Sequence, residues 1–126
     1  MNPTPKGEVR THALDVELFR ELRESLGNEL EVVAGIYRRF VGNAATSIEV
    51  SRHQSGKERA STLHTLKGSA AMVGATRIAA LSSDLQESLV DSPIEVAEVA
   101  LRELEAELTM FRQALAIHLE SLGYPR

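Results

Sequence analysis

Along most of this chain apolar residues recur at every third or fourth position, the period of an amphipathic helix and not the alternation of a half-buried strand. No sustained alternation occurs, and neither Asn-Gly nor Asp-Gly hairpin turns are found. The pattern predicts a first helix over about 15–26, with Asp15 as N-cap, Leu18 and Leu22 four apart, and Gly27 at its stop. A second helix starts at Asn28, with Glu31 three residues on in a capping-box spacing. Its apolar stripe is Leu30, Val33, Tyr37, Phe40, Ala44 and Ile48, and it ends before Ser55-Gly56. A third runs over about 57–73 and stops at Gly74. A fourth carries Ile78, Leu81, Leu85 and Leu89. Ser92-Pro93 reads as an N-cap followed by proline at the first helical position. The last helix carries Ala97, Leu101, Leu104, Leu108, Phe111 and Leu115, a near-heptad seam suited to bundle packing. Short connections between long amphipathic helices imply antiparallel neighbours. The expectation is an all-α fold: an antiparallel up-down four-helix bundle with an additional short N-terminal helix.

At 126 residues the chain suffices for one domain with a core of its own. Residues 1–12, with two prolines and no periodicity, read as a flexible lead-in or linker, 13–122 as the bundle and 123–126 as a tail. Apolar residues make up 43% and charged residues 25%, which excludes collagen-like and wholly disordered classes. No apolar run approaches the length of a membrane span, and the polar N-terminus has no signal-peptide pattern. Cysteine is absent, so disulfides, zinc–thiolate sites and cysteine nucleophiles are excluded; a reducing compartment fits, and the expected location is cytoplasmic, either free or as the cytoplasmic part of a membrane sensor kinase. A net charge of −4 and only five aromatic residues speak against nucleic-acid binding. Gly-x-x-x-x-Gly-Lys and Gly-x-Gly-x-x-Gly loops are both missing, so no nucleotide site is visible.

The third helix carries the candidate chemistry. With Leu63, Leu66, Ala70 and Val73 on the core side, His64 points about 140° away from the stripe centre and should be exposed. Ala60, Ser61, Gly68 and Ala71 fall near it and are all small, and Lys67 lies within reach of a group attached to the imidazole. A mid-helix glycine costs about 1 kcal/mol relative to alanine. Gly68 therefore serves either close approach by another protein's surface or packing against a neighbouring helix. From 52 to 81 there are five basic residues and one acid, net +4; from 84 to 107 there are eight acids and one arginine, net −7. A local positive field around His64 would favour a phosphoryl group or an acidic partner pocket.

The run His64-Thr65-Leu66-Lys67-Gly68-Ser69-Ala70, followed by Gly74-Ala75 and Ile78-Ala79-Ala80-Leu81, resembles a histidine phosphotransfer (HPt) domain of two-component phosphorelays. The local match covers about 64–86, and the five-helix pattern extends it over most of the chain. The resemblance implies that His64 is the phosphoacceptor, through its outer ring nitrogen. Lys67, Ser69 and Gln86 would stabilise the phosphoryl site. Lys67 offsets charge; Ser69 is the small polar residue that ties the phosphohistidine helix to its neighbour; Gln86 sits where some members carry Gln and many carry Glu. Ala60, Ser61, Gly68, Ala71 and Met72 would form the docking surface, with Met72 replacing an Asn often found before the glycine turn.

The implied partners are response regulator receiver domains and a hybrid or sensor histidine kinase, with no nucleic acid and no direct membrane contact. The chain would act as a monomer, without a cofactor or metal of its own. The receiver would supply the phosphorylated Asp and Mg²⁺. The chain would be a phosphocarrier and not an enzyme with an ATP site, either free-standing or the C-terminal module of a hybrid kinase. Only neutral imidazole is nucleophilic, so acceptance should weaken in acid. The alternatives are a docking bundle that carries no phosphate, which the intact His-x-x-Lys-Gly argues against, and the phosphoacceptor domain of a chemotaxis-type kinase. His12 and His53 read as solvated, His118 as packing at the bundle rim, and Arg38-Arg39 as a surface pair.

Overall fold

The computed structural model describes residues 12–125. Among the described residues five helices follow in order: α1 Val16–Ser25, α2 Leu30–Ser51, α3 Gly56–Met72, α4 Thr76–Ser88 and α5 Ile94–Ser121. Helix α3 packs on α2 and α4, α5 closes the ring against α2 and α4, and α1 leans on α2. This is the expected four-helix bundle with a short N-terminal helix, and no strand occurs among the described residues. The lead-in, apart from His12, lies outside the described residues.

The predicted stripes form the core. All six named positions of α5 are buried, as are Val33, Tyr37, Phe40, Ala44 and Ile48 of α2. Phe111 joins them, 5.5 Å edge-on to Phe40 and 6.1 Å from Tyr37 between ring centroids. Each such large side chain contributes about 1.5–3 kcal/mol by leaving water. In α1 the anchor is Phe19, not Leu18 or Leu22, which are only partly buried. Its ring stacks on Tyr37 at 5.2 Å and meets the edge of His118 at 4.6 Å. His118 thus packs at the bundle rim, as its place on the seam suggested.

Helix starts depart from expectation in three places. Gly27 and Asn28 both take left-handed backbone conformations, φ +73° and +62°, so the turn itself uses Asn28. The N-cap of α2 is therefore Glu29, with no side-chain cap bond, and no Asn28–Glu31 box forms. The capping box lies instead at α3, where the Ser55 N–H donates to Glu58 Oε1 at 3.2 Å. At α5 the N-cap is Pro93 and not Ser92, whose hydroxyl donates back to Ser88 O at 2.7 Å.

Two tethers hold α3 at its ends. At its start Arg59 is buried, and its guanidinium donates to Ser51 O (3.1 Å), Gln54 O (2.8 Å) and Leu89 O (3.3 Å). These carbonyls close the C-terminal ends of α2 and α4, where helix dipoles favour a cation. At its end the Tyr37 hydroxyl donates to Val73 O at 2.7 Å inside the core. Gly74 turns the chain at φ +78°, and the Asp15 N–H donates to its carbonyl at 2.8 Å. A Cβ at Gly74 would sit 3.0 Å from that of Asp15, so conformation and space both require glycine there.

Candidate functional site

Between these tethers the outer face of α3 is open. Leu63, Leu66 and Ala70 are buried, whereas His64, Ser61, Gly68 and Ala71 are exposed, and Ala60 and Lys67 are half-buried. The Cβ that Gly68 lacks would meet nothing within 4 Å. No neighbouring helix needs that glycine, which removes the internal-packing explanation.

His64 is nevertheless fixed. Its Nδ1 lies 3.2 Å from Gln86 Oε1 on α4. The contact is a hydrogen bond when Nδ1 carries the hydrogen and the amide oxygen accepts it, which leaves the lone pair on Nε2. In that tautomer Nε2 is the ring nitrogen without a partner among the described residues. Gln86 thereby reaches the site from 22 residues away, a link that helical periodicity does not contain.

Lys67 makes no hydrogen bond or ion pair among the described residues. With Leu18 and Ala71 it borders a groove of about 300 Å³ between α1, α3 and α4, so α1 contributes to the surface beside His64. On the other flank a groove of about 500 Å³ between α2 and α3 is lined by Arg39, Phe40, Thr65, Ser69 and Met72. Met72 is 77% exposed, the highest value among the large apolar side chains described. Arg39 has no partner among the described residues, unlike Arg38, which donates to the Tyr124 hydroxyl at 3.2 Å. The expected surface pair therefore divides, since both arginines are exposed but only Arg38 has a partner among the described residues. The period that puts Phe40 in the core also puts Arg39 at the groove edge, and this was the available signal.

Two expectations are corrected. Ser69 does not tie α3 to a neighbour: its hydroxyl donates within its own helix, to Leu66 O (3.2 Å) and Thr65 O (3.3 Å). Nor does the basic stretch 52–81 surround His64. Arg59 is buried as described. Arg52 is held by Glu49 (2.8 Å), Glu98 (3.1 Å) and Glu105 (2.8 Å), and Arg77 by Glu107 (2.8 Å). The acidic stretch of α5 thus neutralises most of that charge. Of the five cations, Lys57 and Lys67 alone remain unpaired among the described residues, both on the His64 side of α3 by helical period. His53 is exposed, 3.2 Å from Glu49 Oε2. No three His, Asp or Glu side chains among the described residues come together to hold a metal ion.

Fold and site together are those of a helical bundle with one exposed histidine, in contact with Gln86, on the outer face of α3. The family model described as Hpt domain matches residues 13–114, and the chain belongs to that family. Hpt domains serve histidine phosphotransfer in two-component signalling, as carriers that interact with response regulator receivers and kinases. Neither a curated protein nor a solved structure matches the chain closely. No helix among the described residues is long and apolar enough to cross a membrane.

Proposed function

We propose that His64 accepts a phosphoryl group from a receiver-domain aspartyl phosphate and passes it to the aspartate of another receiver. The observation that carries this reading is the exposed His64 ring, held through Nδ1 by Gln86 beside a glycine with open space above it. In the forward step the Nε2 lone pair attacks phosphorus. The P–O bond to the aspartyl carboxylate breaks, and its electrons return to that carboxylate. The Nδ1 proton stays in place, so the phosphorylated ring carries a positive charge that faces the Gln86 carbonyl oxygen. The second transfer reverses these bonds on a new aspartate. Positioning and charge stabilisation do most of the work in such reactions.

Lys67 offsets phosphoryl charge, and Mg²⁺ comes with the receiver. Ala60, Ser61, Gly68, Ala71 and Met72 form the docking surface. Ser69 supports it by closing its own hydrogen bond at the edge of the α2–α3 groove. The chain works as a cytoplasmic monomer, as a free carrier or as the last module of a hybrid kinase.

The test is transfer from a phosphorylated receiver with Mg²⁺ to the wild-type chain and to His64→Gln. Acid-labile label is expected on the wild type, with a loss of about 10³-fold or more in the variant, since the nucleophile is gone. Equal labelling of the two would refute the assignment. Receiver binding without labelling in either would favour a docking bundle that carries no phosphate.

A further inference from the structure

A second surface lies across α4 from His64. The α4 and α5 helices leave a groove of about 520 Å³ between them. Leu85 and Leu89 wall it on α4; Val96 and Val99, 51% and 59% exposed, wall it on α5. A spacing of four on the first rail and three on the second puts each pair on one face of its helix, so the walls form one apolar trough. The bundle itself does not use these valines, because its seam on α5 runs through Ala97, Ala100, Leu101 and Leu104.

Charge decides what could lie there. Glu95 and Glu103 line the groove. Both are exposed and make no ion pair or hydrogen bond among the described residues. This sets them apart from Glu98, Glu105 and Glu107, which are spent on Arg52 and Arg77. Arg102, the cation in this half of α5, already faces Glu98 at 3.4 Å. The rim is therefore uncompensated negative charge around an apolar floor. A second copy of this chain would bring the same carboxylates against it, and an anionic membrane or nucleic acid would be repelled.

We infer that the α4–α5 groove is a docking site for a cationic amphipathic helix of another polypeptide, separate from the face that presents His64. Residue 86 turns toward His64 while 85 and 89 turn toward the groove, so the two surfaces can be occupied together.

The full chain, with labelled methyl groups, is titrated with a Leu/Lys amphipathic helix of about 18 residues and with its Leu/Glu counterpart. The Leu/Lys helix should saturate, shift the methyls of Leu89, Val96 and Val99, and weaken as salt rises. Affinity should fall about tenfold or more in Val96→Ser/Val99→Ser and in Glu95→Lys/Glu103→Lys. Thermal melts of Val96→Ser/Val99→Ser should match the wild type, those of Glu95→Lys/Glu103→Lys should fall by a few degrees because Glu95 lies in the first turn of α5, and phosphotransfer through His64 should be unchanged in both. The proposal is overturned by shifts scattered over the acidic surface, by equal binding of the Leu/Glu helix, or by variants that bind like wild type. A concentration-dependent dimer of the chain alone, abolished by Val96→Ser/Val99→Ser, would also overturn it and give the groove to a second copy.

Discussion

The two faces of α3 contrast sharply. On the inner face every group has a partner: Leu63, Leu66 and Ala70 are buried, and Arg59 spends its guanidinium on three carbonyls. On the outer face Lys57 and Lys67 are unpaired among the described residues, Gly68 looks onto open space, and His64 is held by a contact to another helix through Nδ1. Arg59 and His64 are five residues apart, both nitrogen-rich, and opposite in role. A polar group that has used its bonding capacity supports the fold; one held by a single atom, with the rest free, is available to a partner.

Several substitutions would break or sharpen that contrast. Arg59→Met should have the largest effect on the inner face. It strands three carbonyls at helix ends and should cost about 2–4 kcal/mol in denaturant unfolding, with phosphotransfer per folded molecule retained. On the outer face Gly68→Gln should do the reverse, lowering transfer about 10- to 100-fold by obstructing the receiver while unfolding stays near wild type. Gly68→Ala sharpens the point, since it should raise stability by up to about 1 kcal/mol because no neighbour opposes the Cβ. Destabilisation by alanine would mean that the glycine serves packing after all.

Tyr37→Phe removes the bond to Val73 O and leaves that buried carbonyl unpaired. Unfolding should show a loss of about 1–2 kcal/mol, with His64 chemistry intact. The smallest effect concerns His118. Burial, and secondarily the charge of Arg23, push its pKa below the ordinary histidine value. The unfolded chain then takes up the proton first as pH falls, so this stability is present above about pH 6.5 and is lost on acidification below it. His118→Phe, which keeps a ring against Phe19, should shrink the drop in Tm between about pH 7 and pH 5. An unchanged drop would mean that this histidine does not contribute.

Much of the bundle was legible from period alone. The α5 seam and the core side of α3 lie where three-four spacing put them, because burial of one face is what that spacing records. The exposed His64 follows from the same geometry. Other features depend on information that a linear pattern lacks. Asn28-x-x-Glu31 and Ser55-x-x-Glu58 look alike as capping boxes, but the tight turn after α1 takes Asn28 for its left-handed conformation and only the second box closes. The basic run 52–81 looked like a field around His64, yet its arginines face α5 or the core, since neighbours along a helix point in different directions. The His64–Gln86 contact crosses helices, and only the family resemblance marked that glutamine.

The central claim is that Gln86 holds the Nδ1 proton and leaves Nε2 as the acceptor. The most direct test is to phosphorylate the ¹⁵N-labelled chain with a phosphorylated receiver and record long-range ¹H–¹⁵N and ³¹P spectra of the histidine rings. Phosphorus on Nε2 of His64, with the Nδ1 proton retained, is the predicted result. Phosphorus on Nδ1, or on His12, His53 or His118, would contradict it.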